Sequence, residues 1–120
     1  MSEPTDRLSK EDLERIFQEK VLPKSRLDEL TSHETPKAIV LAGQPGAGKG
    51  ALVRAAREEF RGEIIVIDPD EQRERLPGVR RLQESDPFGW PKATNTDAVK
   101  LANGLRDEGI KRHVNLVIDG

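Results

Sequence analysis

The chain has no cysteine and no tyrosine, and only one tryptophan and three phenylalanines. Without cysteine there are no disulfides, no thiolate metal sites and no sulfur nucleophile, and a reducing compartment is the simplest setting. No apolar run is long enough to span a bilayer, and the polar stretch Met1 to Lys10 has no signal-peptide character. These features predict a cytoplasmic protein without a membrane partner. Basic excess is also missing: 20 Lys and Arg stand against 22 Asp and Glu. That balance gives no broad positive field and argues against nucleic acid as a partner.

What is present fits one modest domain in 120 residues. Leu13, Ile16, Phe17 and Val21 recur at helical spacing, with Ser9 placed to cap and Pro23 placed to stop the pattern. A short helical piece carries Leu27 and Leu30, and Thr31 to Lys37 reads as a loop. Residues 1–36 are thus expected to form an N-terminal helical segment and residues 37–120 the domain proper. Three apolar runs follow, Ala38 to Ala42, Ile64 to Ile67 and Asn115 to Ile118, of the kind found in strands covered on both faces. Helical patterns lie between them, over Lys49 to Phe60 and near Thr96 to Glu108. The second carries an apolar stripe of Ala98, Leu101, Ala102 and Leu105, with Gly109 placed to end it. Alternating strands and helices predict an α/β fold with a parallel sheet whose ligands gather at the carboxyl ends of the strands.

The first run leads into Gly43, Gln44, Pro45, Gly46, Ala47, Gly48 and Lys49. Glycines at these positions let consecutive amides point into one concavity, the following helix adds its positive end, and Lys49 supplies a mobile ammonium for the β- and γ-phosphates. The alternative is a glycine turn that merely joins strand to helix; the matching flanks favour the phosphate loop. Where a Ser or Thr usually ligates Mg²⁺ there is Gly50, followed by Ala51. The second run ends in Asp68-Pro69-Asp70 and the third in Asp119. Asp68-Pro69-Asp70 reads equally well as a strand-to-helix turn with an N-cap, and Asp119 equally as a Mg²⁺ ligand. Arg73 is a candidate phosphate contact, but Arg73, Arg75, Arg80 and Arg81 alternate with Glu and Gln in a way that better fits a solvated helical face. His33 and His113 lack metal-ligand spacing, and Trp90 between two prolines reads as a hydrophobic anchor under a loop.

Taken together, the Gly-Gln-Pro-Gly-x-Gly-Lys loop, the strand ending in Asp-x-Asp, Arg73, Pro77, Thr96-Asp97-Ala98 and the run Asn115 to Gly120 resemble the zeta-toxin family of P-loop kinases over roughly residues 36 to 120. The resemblance implies a P-loop NTPase-like sheet and transfer of the γ-phosphate of ATP or GTP, with Mg²⁺, to a hydroxyl of a UDP-N-acetyl-amino sugar. It implies Lys49 and Asp70 as catalytic residues, Asp70 being the general base, and residues 43 to 50 as the nucleotide loop. Asp97, Asp119 and Arg73 would contact substrate, with Asp119 also a candidate metal ligand. Asp97 stands where the family tends to have Glu. An antitoxin partner is implied, with self-association an alternative.

The family normally continues beyond the position of Gly120 with more strands, a lid and arginines, so the sequence is expected to be a truncated form or one completed by another chain. Two further readings stay open: a non-catalytic nucleotide-binding or interaction module, suggested by Gly50 and Ala51, and another small-molecule or nucleotide kinase, suggested by the Gly-Lys-Gly step.

Overall fold

The computed structural model describes residues 8–41 and 49–119. Its first helix begins where Ser9 can cap: the Ser9 hydroxyl accepts the backbone N–H of Asp12 at 3.1 Å, and Glu11 and Asp12 place negative charge at the helix start. This helix, α1 (Lys10–Ile16), passes through a π turn (Phe17–Val21) into α2 (Leu22–Ser25). Pro23 therefore does not stop the helix as the sequence predicts. It falls in the first turn of α2, directly after the π turn, where a missing N–H is tolerated. The turn comes instead at Arg26, in the left-handed region at φ 59°. A 3₁₀ turn over Leu27–Glu29 follows.

The remaining elements are β1 (Ala38–Leu41), α3 (Lys49–Glu59), β2 (Ile65–Ile67), α4 (Pro69–Arg73), α5 (Val79–Ser85), α6 (Trp90–Ala93), α7 (Asn95–Lys111) and β3 (Leu116–Asp119). The strands pair in parallel in the order β1-β3-β2, the arrangement expected of an α/β sheet with crossover helices. Buried Asn115 ties the strand starts together. Its Oδ1 accepts the Lys37 N–H at 2.9 Å, and its Nδ2 donates to the Glu63 carbonyl at 3.1 Å. With this register Leu41 lies opposite Asp119 and Ile67 opposite Ile118, so the three carboxyl ends are level.

On one face of the sheet, Ile65, Ile67 and Leu116 pack with Leu101 and Leu105 of α7 and with Leu13, Ile16, Val21 and Leu27 from the N-terminal helices. On the other face a smaller cluster joins Leu41, Ile64 and Val117 to Ala56 of α3. The first run is not covered on both faces by the described residues: Val40 is 68% exposed and Ala38 is exposed. Gly109 departs from its predicted role as well. α7 continues to Lys111, and Gly109 is buried against β3, where an added Cβ would lie 2.6 Å from Leu116 Cδ2. Close helix–strand packing thus explains this glycine, and the chain turns after the helix at His113, with φ 57°.

Candidate active site

Two carboxylates at the end of β2 divide the roles that the Asp68-Pro69-Asp70 sequence left open. Asp68 is the N-cap of α4: its side chain accepts the Asp70 N–H at 2.9 Å, with Pro69 at the helix start. Asp70 does no capping, and its side chain is 79% exposed at the carboxyl edge of the sheet. Burial raises the Asp68 pKa above 3.8; the bond from the Asp70 N–H works against this, and the charges of Asp119, Asp70 and Glu71 add to the rise. Asp119 closes β3 beside them, half-buried. The level strand ends therefore bring Asp68 and Asp70, after β2, beside Asp119 at the end of β3, and Asp119 lies opposite Leu41 at the end of β1.

Arg73 is not on a solvated face. It is only 7% exposed, at the end of α4 where that helix packs on α7. One guanidinium nitrogen, Nη1, donates to Asp70 Oδ1, Nη2 donates to Asn95 Oδ1 at 3.0 Å, and the group lies 6.0 Å from the centre of the Trp90 ring. The alternation of charges around it correctly marks Arg80 and Arg81 as exposed. It fails for Arg75, which is half-buried, and most clearly for Arg73, which Asn95 of α7 and Trp90 of α6 enclose. Trp90 is half-buried against the larger core cluster, as an anchor should be, and also serves as the ring beneath Arg73.

Asp97 sits in the first turn of α7 and is 1% exposed. Its Oδ2 accepts the Leu8 N–H at 3.0 Å, while Oδ1 is buried without a hydrogen-bond partner. Asp97, Thr94, Arg81, Leu76 and Leu8 line a cleft of about 250 Å³. Gly43, Gln44, Pro45, Gly46, Ala47 and Gly48 lie outside the described residues, as do Ala42, Gly120 and the side chain of Lys49. Lys49 opens α3 and Gly50 follows, exposed, in its first turn.

A family model described as Zeta toxin matches residues 23–120. The chain belongs to the zeta-toxin family. These are P-loop kinase-like toxins. It is 35% identical over 89 residues to "Toxin PezT" of Streptococcus pneumoniae, covering 74% of this chain and 35% of that protein. It is also 35% identical over 91 residues to "Toxin zeta" of Streptococcus agalactiae, covering 72% of this chain and 30% of that protein. A chain from a structural study of the PezAT chromosomal toxin–antitoxin system of Streptococcus pneumoniae superposes with a TM-score of 0.85 at 28% identity, over 96% of this chain and 47% of that one. This zeta-family chain thus spans about a third of the length of the curated relatives it matches.

Within this zeta-family frame the donors available to a divalent cation are few. Among the described residues no group of three or more His, Asp or Glu is placed to hold a metal. Gly50 supplies no hydroxyl. The charge of Asp119 nevertheless pushes up the Asp68 pKa, and a cation at the end of β3 would relieve that repulsion. Among the described residues no helix is long and apolar enough to cross a membrane. Asn95 was not singled out from sequence, whereas the N-cap is one of the two readings that Asp68-Pro69-Asp70 offers. Asp68 had a usable signal in the Asp-Pro pair before a helix, whereas Asn95 matters only through its contact with Arg73, 22 residues away.

Proposed function

We propose that this chain provides the nucleotide-binding and base-bearing part of a phosphotransferase that moves the γ-phosphate of ATP or GTP to a hydroxyl of a UDP-N-acetyl-amino sugar. The observation that carries this reading is the position of Asp70. It is an exposed carboxylate one turn beyond β2, level with the strand end that feeds the phosphate loop, and it is held from one side by Arg73.

Phosphoryl transfer asks the protein mainly for positioning and charge. The loop amides of residues 43 to 48 and the Lys49 ammonium would cradle the phosphates, with Gly50 allowing close approach. Asp70 would accept the proton of the attacking hydroxyl, its free oxygen facing the acceptor while the other is held by Arg73. Asp97 would take a hydroxyl or amide donor of the acceptor in the neighbouring cleft, its buried Oδ1 having that capacity in reserve. Mg²⁺, held by Asp119 and water, would neutralise phosphate charge. Arg73 serves Asp70 in this scheme and would not contact substrate itself. The PezAT relative is a toxin of a toxin–antitoxin pair, which supports an antitoxin as the protein partner.

A second reading is a nucleotide-binding module without turnover, favoured by Gly50 and Ala51 where a metal-binding hydroxyl is expected. One experiment separates them. The chain is incubated with Mg²⁺, labelled ATP or GTP and a panel of UDP-sugars and nucleotides, beside Lys49→Ala and Asp70→Asn. Transfer to a UDP-N-acetyl sugar that both substitutions abolish supports the kinase. Nucleotide binding lost in Lys49→Ala, with no transfer to any acceptor, establishes the module.

A further inference from the structure

Arg73 is the buried charge that the proposed chemistry leaves without a substrate to bind, and its surroundings say what it does instead. A guanidinium is planar and rigid, so two hydrogen bonds and a ring face determine its orientation. Here the bonds run to Asp70 on the same helix and to Asn95 Oδ1 at 3.0 Å, and the ring is that of Trp90 at 6.0 Å. Three helices, α4, α6 and α7, thereby fix one side chain. Asp70 has no comparable support: its side chain is 79% exposed, its N–H is used by Asp68, and a short carboxylate on a helix surface otherwise samples more than one rotamer.

We propose that Arg73 is a positioning residue that locks the side-chain rotamer of Asp70, and that Asn95 acts through it by holding the guanidinium plane. The assignment rests on the reading of Asp70 as the general base. With one carboxylate oxygen engaged by Arg73, the other has a fixed direction in which to accept a proton, the condition that general-base catalysis places on geometry. Asn95 and Asp97 share the first turn of α7, so the group that aims the base and the group that lines the acceptor cleft are carried by one rigid element. A freely rotating point charge could attract Asp70 without fixing its direction; the planar fork of Arg73, with its second nitrogen tied to Asn95, fixes the first toward Asp70.

The test uses the 120-residue chain and needs no turnover. Three-bond couplings across the Asp70 Cα–Cβ bond report its χ1 angle by NMR. The expected wild-type result is a single rotamer. Arg73→Gln averages the couplings. Arg73→Lys, which keeps the charge but not the planar fork, also leaves them averaged. Asn95→Ala, which leaves the charge pair in place, also averages them and covers the case in which Arg73→Gln fails to fold. Averaged couplings in the wild type, or couplings unchanged in both Arg73→Gln and Asn95→Ala, overturn the proposal. In the transfer assay the positioning role predicts that Arg73→Lys lowers kcat at least tenfold with KM for nucleotide unchanged. A wild type that binds nucleotide but transfers nothing would sink the kinase reading, while a rotamer released by Arg73→Gln would still establish the lock.

Discussion

On the β2 side of the sheet, Ile65 and Ile67 are sealed beneath α7 and the N-terminal helices, and the two acidic positions after them are fixed by a cap and by a buried arginine. On the β1 side, the strand that leads to residues 42–48 has Val40 68% exposed on the same face, and Ala56 is the one fully buried contact with the sheet among the described side chains of α3. The acidic strand ends therefore rest on a packed platform, while β1 keeps one face exposed. In the proposed transfer, base and acceptor groups must be aimed, which demands rigid neighbours, whereas a phosphate loop works mainly through its own backbone amides.

The sharpest way to break this contrast is to truncate one residue on each side. Leu105→Ala, at a position buried in the larger cluster, should cost about 2–5 kcal/mol in urea unfolding. Val40→Thr should stay within about 0.5 kcal/mol. Equal costs would mean that the face of β1 carrying Val40 is covered in solution and that the two sides do not differ. Gly109→Ala comes next. The helix gains at most about 1 kcal/mol from the exchange, but the new methyl would fall 2.6 Å from Leu116 Cδ2 in a closed core, an overpacking worth about 1–3 kcal/mol. The expected outcome is a lower melting temperature, with a smaller loss than for Leu105→Ala. A gain would show that the seam between α7 and β3 is looser than the seal on this side requires.

The same contrast marks what the sequence could reveal. The existence of three strands, the Ser9 cap and the stripe Ala98, Leu101, Ala102 and Leu105 follow from local patterns and appear as read, the stripe being fully buried. The family motif names Asp70 and Asp119 from a signal of the same local kind, their spacing after apolar strands, and both stand at the carboxyl ends of the sheet. Failures came where a distant element decides the outcome. Arg73 looks solvated among alternating charges, yet Asn95 and Trp90 close over it. Pro23 looks like a stop, yet a π turn precedes it and the helix continues. Gly109 looks like a helix end, yet Leu116 sits against it. Val40 belongs to a run that could be buried on both faces, but a run says what a strand can bury and not what lies over it.

The smallest expected effect concerns the acidic ends of the strands. The folded pKa of Asp68 lies above 3.8, so the folded state holds the Asp68 proton more tightly than the unfolded chain does. Its contribution to stability is therefore favourable in acid and is lost as pH rises from 3.8 through the folded value. Asp68→Asn keeps a side-chain oxygen for the α4 cap, since Asn caps about as well as Asp, and removes the charge that burial and Asp119, Asp70 and Glu71 disfavour. The variant should be slightly more stable than wild type at pH 7, and the gap should close as pH falls toward 3.8, as read by thermal melts across that range. Added Mg²⁺ should narrow the gap at neutral pH by stabilising wild type more than the variant, because a cation near Asp119 screens a repulsion that Asn does not feel. A variant less stable than wild type at pH 7 would mean that positive charge at the strand ends already outweighs the carboxylates there. The packed side would then owe its alignment to charge from the phosphate-loop side, and the two halves would not be independent.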